Sequence, residues 1–157
     1  MSGNLRFRKG AGMELPHTTD RVGYLLKRAQ GALNDAMNAE LDAHGVTLSQ
    51  YAVLVALDEE PGLSNADLAR RAFVTPQTMN QVLRELEGRG LVVRRPHAVH
   101  GRVRQAHLTP DGERLLVACR AAGDQVERRM LAGLTAADQH RVAAALRLFT
   151  EALTAHP

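Results

Sequence analysis

The feature that most constrains this chain is the close succession of two helix starts on either side of Ala72-Phe73-Val74. Ser64 and Asp67 stand at capping spacing and open one helix, whose apolar residues Ala66, Leu68 and Ala69 run into that hinge. Thr75 then supplies a second N-cap hydroxyl, and Pro76 takes the first helical position, where a missing N–H costs nothing. Two helices joined by a tight turn, the second freshly capped, form a candidate helix-turn-helix.

The second of these helices runs to about Glu87, stopped by Gly88-Arg89-Gly90, and its faces separate. Met79, Val82, Leu83 and Leu86 fall on one side, and Gln77, Asn80, Gln81 and Arg84 on the other. Asn and Gln pair bidentately with adenine and Arg with guanine in the major groove, so the polar face carries the side chains of direct readout, flanked by the hydroxyls of Thr75 and Thr78. An ordinary amphipathic surface helix would carry more Glu and Lys there. Beyond it, Leu91 to Arg95 and Val103 to Leu108 alternate toward β character around Pro96 to Gly101, which predicts a β-hairpin. A hairpin after a helix-turn-helix is a wing. Arg102 is placed to enter the minor groove, with Arg94, Arg95, Arg104 and His100 near the backbone.

Charge supports this reading. Between Gly62 and Thr109 stand eight arginines against Asp67, Glu85 and Glu87, a net of +5 in a chain of net +3. Every cation there is Arg, whose planar fork suits phosphate and guanine, although a solvated basic face would look similar.

The rest of the 157 residues predict one domain. Aromatic residues make up 3% and Trp is absent, so the core is aliphatic and helical, and a β-sandwich is excluded. Residues 1–17 lack periodicity and read as a flexible arm. Val22, Leu25, Leu26, Ala29, Leu33, Met37 and Leu41 follow helical spacing up to the stop at Gly45, and Thr47 with Gln50 caps a second helix that ends at Pro61-Gly62. Pro110 opens a fifth helix through about Leu131, and Thr135 caps a sixth to about Leu153. The predicted fold is mainly α: a winged helix-turn-helix of six helices with a small hairpin. Val142, Leu146, Phe149 and Leu153 give the last helix an apolar surface suited to a second subunit, with burial against the chain's own first helix as the alternative.

Leu68-Ala69, the recognition-helix segment, Leu86-Glu87-x-x-Gly90-Leu91, Arg102 and Leu108-Thr109-x-x-Gly112 together resemble the MarR family from about Tyr24 onward. The chain has His100 and Gln81 where the family often has an acidic and an Arg residue. The resemblance implies a homodimer on a near-palindromic double-stranded operator, with residues 18–46 and 110–157 forming the dimerisation helices and 47–109 the DNA-binding lobe. It further implies a repressor released by a small, often aromatic or anionic effector. Arg21, Tyr24 and Arg28 share one helix face and offer a place to receive an anion, with a solvated face as the alternative. His100 beside phosphate would tighten operator binding as pH falls from about 8 toward 6.

Other classes find little support. His97, His100 and His107 have no carboxylate or Cys at ligand spacing, so no metal and no cofactor is expected, and neither a nucleophile motif nor a phosphate loop occurs. Cys119 sits in an apolar run and reads as an inert buried thiol. With no apolar run of about 18 residues and no signal-peptide pattern, a cytoplasmic protein is expected. The competing function is a winged-helix module that assembles with another protein instead of an operator.

Overall fold

The computed structural model describes residues 18–97 and 103–155. The predicted flexible arm lies outside the described residues. The chain divides into two compact units, residues 1–32 and 33–157. In the first, the described residues are a 3₁₀ turn at Thr18–Asp20 and the opening turns of α1 (Val22–Asp42), all exposed.

The second unit contains the remainder of α1, then α2 (Leu48–Glu59), α3 (Asn65–Arg71), α4 (Pro76–Gly88), β1 (Val92–Pro96), β2 (Arg104–Leu108), α5 (Pro110–Leu131) and α6 (Ala136–Thr154). Six helices and one hairpin agree with the architecture expected from the sequence. The starts are set by local hydroxyl caps. Thr47 Oγ1 accepts from Gln50 N at 3.2 Å while Gln50 Oε1 accepts from Thr47 N at 3.2 Å, and Ser64 with Asp67 and Thr135 with Asp138 repeat this reciprocal box. Each cap satisfies amides that the first turn leaves without partners, worth about 1 kcal/mol apiece. Gly45, expected to stop α1, adopts the left-handed φ of 61° that such a stop requires.

The core has two centres. The larger joins Val53, Leu54 and Leu57 of α2, Leu68 of α3, Met79, Leu83 and Leu86 of α4, Val92 and Ala106 of the hairpin, and Leu116 of α5. The smaller gathers Met37, Leu41, Val46, Cys119 and Val126, and the half-buried Tyr51 and Leu115 pack against both. Because α5 contributes to each, the helix-turn-helix rests on a long helical support.

The hairpin is antiparallel, with Val92 opposite Leu108 and Arg94 opposite Ala106. It also gains an isolated antiparallel bridge, Ser64 opposite Gln105, that the sequence reading did not anticipate. Gly62 N donates to Ala106 O at 2.9 Å, and Ala106 N donates to Leu63 O at 3.0 Å, so the segment entering α3 pairs with β2. This pairing satisfies β2 on the edge away from β1 and fastens the wing to the start of the helix-turn-helix.

Candidate nucleic-acid interface

The second helix of the helix-turn-helix, α4, is held by its apolar face. Met79, Leu83 and Leu86 are fully buried, while Gln77, Thr78, Gln81 and Arg84 are exposed and Asn80 is half-buried. This is the division expected from 3.6 residues per turn. At its start, Thr75 Oγ1 accepts from Thr78 N at 3.1 Å and shares a 2.9 Å hydrogen bond with Thr78 Oγ1, so both hydroxyls serve the cap. Asn65 Nδ2 donates to Pro76 O at 3.1 Å, which ties α3 to the first turn of α4.

Two polar networks fix the other faces of α4. Glu85 accepts from Gln81 Nε2 at 2.8 Å and from Gln50 Nε2 at 3.0 Å, and Arg89 Nη1 reaches Gln50 Oε1 at 3.3 Å and Gly45 O at 2.8 Å. Gln50, the buried polar residue of the core, thereby links α2 to α4. The second network centres on Arg94 of β1. Its Nε donates to Glu87 Oε2 at 2.8 Å, its Nη2 lies 2.5 Å from the same oxygen, and its Nη1 donates to Asn80 Oδ1 at 3.0 Å. The Arg94 hydrogen bond is the main cause that holds the Glu87 carboxyl below its ordinary pKa. Nothing in sequence spacing pointed to either network.

The structure divides the arginines of the basic stretch. Arg70 pairs with Asp67, Arg71 with Glu60, and Arg94, whose side chain is only 17% exposed, with Glu87. Arg89 donates to Gly45 O in the turn that follows α1. Arg84, Arg95 and Arg104 are exposed and form no ion pair among the described residues; Arg104 Nη2 donates to Arg94 O at 2.9 Å. Among the described residues, three exposed guanidinium groups without a carboxylate partner thus accompany the neutral amides of α4. Arg102 and His100 lie outside the described residues.

One feature of the turn escaped the sequence reading. Phe73 adopts φ 54°, in the left-handed region that favours glycine, and its ring is 95% exposed. The residues between Arg71 and Thr75 need that conformation to redirect the chain, since Val74 N bonds back to Ala69 O at 3.1 Å and closes α3.

The remaining sites expected from the sequence lie on the long helices. In α6 Val142, Leu146, Phe149 and Leu153 are all exposed, and the helix has no buried residue. In the first unit Tyr24 and Arg28 are exposed on α1, and Arg21 is exposed just before the helix begins. Within the second unit, a cavity of about 380 Å³ opens among Leu33, Met37, Leu48, Tyr51, Gly123, Asp124 and Glu127. Burial pushes the Tyr51 phenol above its ordinary pKa, and the buried Cys119 thiol is likewise pushed up, away from the reactive thiolate. Among the described residues, no three His, Cys, Asp or Glu side chains gather to hold a metal, and no helix is long and apolar enough to cross a membrane.

A helix-turn-helix whose second helix feeds a basic hairpin, bridged to the residue that caps α3, defines a winged helix-turn-helix protein. A sequence profile of the MarR family matches residues 44–103. The chain is 43% identical over 118 residues to the HTH-type transcriptional repressor Rv2887 of Mycobacterium tuberculosis, across 75% of this chain and 85% of the relative. This protein belongs to the MarR family. Its fold is similar to crystal structures of the M. tuberculosis MarR family protein Rv2887 complexed with salicylic acid (TM-score 0.68, 41% identity, 82% of this chain and 95% of that one) and complexed with DNA (TM-score 0.68, 39% identity, 82% and 96%).

Proposed function

We propose that this protein is a sequence-specific double-stranded DNA-binding regulator that represses transcription as a homodimer and leaves its operator when a small aromatic or anionic effector binds. The observation that carries the reading is the exposed amide face of α4, seated on a fully buried apolar face beside Arg84, Arg95 and Arg104. Neutral amides discriminate bases and unpaired guanidinium groups attract phosphate. Thr75, Gln77, Thr78, Asn80, Gln81 and Arg84 face the major groove in this reading, Arg95 and Arg104 meet the backbone, and Arg102 enters the minor groove. The similarity to Rv2887, a repressor whose structures include complexes with DNA and with salicylic acid, supports both halves of the proposal.

Residues 47–109 then form the DNA-binding lobe, while 18–46 and 110–157 serve dimerisation. The exposed α6 residues Val142, Leu146, Phe149 and Leu153 support pairing with a second copy, because so much apolar surface is costly to leave in water. Two-fold symmetry asks for two half-sites about one helical turn apart. Arg21, Tyr24 and Arg28 are the groups assigned to an anionic effector. The protein acts by binding in the cytoplasm, with no catalytic step.

Selection from random duplexes tests the reading. A near-palindromic consensus is expected, with binding that weakens on adding salicylate. Recovery of no consensus at moderate salt would favour the protein-assembly alternative.

A further inference from the structure

We propose that Arg94 is a positioning residue for base recognition: it fixes the amide of Asn80 in one orientation and so sets which base edge α4 reads, instead of spending its charge on DNA phosphate. The inference rests on the DNA-binding reading above. A guanidinium carries N–H donors and no acceptor, so the Asn80 atom 3.0 Å from Arg94 Nη1 must be the carbonyl oxygen. A carboxamide free to flip presents its donor and acceptor in either order, and major-groove readout depends on that order. Arg94 removes the flipped state. It can do so because Glu87, two turns further along the same face of α4, takes Nε and Nη2 and leaves Nη1 aimed at Asn80.

The surroundings suit this role and not phosphate binding. The Arg94 side chain is mostly buried, its charge is compensated by Glu87, and its own carbonyl accepts from Arg104 Nη2 at 2.9 Å, which locks β1 beneath it. The depressed pKa of Glu87 keeps the holding carboxylate ionised through the neutral range. Lysine could preserve the charge at this position but not the fork, since a single ammonium cannot span Glu87 and Asn80 in the same planar geometry.

The experiment measures binding of wild type, Asn80→Ala, Arg94→Lys and the double variant to an operator selected from random duplexes and to its single-base substitutions, at several salt concentrations. Asn80→Ala identifies the base pair that Asn80 reads, by erasing about tenfold of the preference there. Arg94→Lys, which keeps the charge, is expected to erase a similar preference at that same base pair, leave the salt dependence unchanged, and add nothing when combined with Asn80→Ala. Glu87→Gln provides a second perturbation of the same clamp and should shift preference at that position in the same direction. Retention of the full preference by Arg94→Lys, or losses that multiply in the double variant, overturns the inference while leaving DNA binding intact. A wild type that prefers no base anywhere overturns the DNA reading together with it.

Discussion

Gly112 lies directly against the carbonyl oxygen of Leu91, so close that a β-carbon built at Gly112 would overlap it. The contact closes the winged helix-turn-helix onto α5. Thr109, which caps α5, donates its backbone N–H to Leu91 O at 3.1 Å and its hydroxyl to Gly90 O at 2.7 Å. The Leu-Thr-x-x-Gly pattern is therefore a joint: threonine ties the wing's exit to its entry, and glycine admits the backbone that follows α4. Gly112→Ala should destabilise the protein by about 2–3 kcal/mol, because rigid backbone rather than a flexible side chain has to move. Gly88→Ala, where nothing lies within 4 Å, is the control and should not destabilise. Urea unfolding of both variants checks the difference.

Phe73 holds a strained backbone without burying its ring. Phe73→Gly should therefore raise the unfolding free energy or leave it unchanged, with a gain of up to about 1 kcal/mol as relief of strain is offset by the entropy of glycine in the unfolded chain. A clear loss of stability in a thermal melt would contradict this.

Arg95 is exposed and free of carboxylates, in contrast to its neighbour Arg94. Arg95→Ala should weaken binding to all sequences by a similar factor and flatten the logarithmic salt dependence by about one unit. Affinity for operator and random duplexes across a salt series tests it, and a loss confined to the operator would assign Arg95 to base readout instead.

The Arg94–Glu87 pair makes stability depend on pH in a defined direction. Glu87 is held below its ordinary pKa of 4.5, so its stabilising contribution is present above that value and is lost as pH falls through the lower folded value. Glu87→Gln should be less stable than wild type near neutral pH, with the gap narrowing as pH drops below 4.5. Parallel denaturation curves at neutral and acid pH decide it; a constant gap would mean that the charge contributes nothing.

The apolar face of α6 should hold the dimer. Leu146→Glu with Phe149→Glu places two carboxylates on that face and should yield a monomer that binds the operator far more weakly, as should deletion of residues 141–157. Sedimentation together with operator binding would reject the assignment if either variant stayed dimeric with unchanged affinity.

The helices were legible in the sequence because their signals are local. Thr47, Ser64, Thr75 and Thr135 each bond an amide three residues ahead, and the buried and exposed faces of α4 follow from its own periodicity. The joint at Thr109 and Gly112 was readable as a pattern, though not as a contact between backbone and backbone. What the tertiary structure decided was which polar groups remain free. Eight arginines in one segment look alike along the chain, yet Arg71 meets Glu60, Arg89 reaches back 44 residues to Gly45, and Arg94 is drawn between Glu87 and Asn80. Glu85 and Gln50, which lock α4 to α2, are 35 residues apart. Such pairings depend on how helices cross and on the bridge between Leu63 and Ala106, and no spacing rule within one element encodes a partner on another.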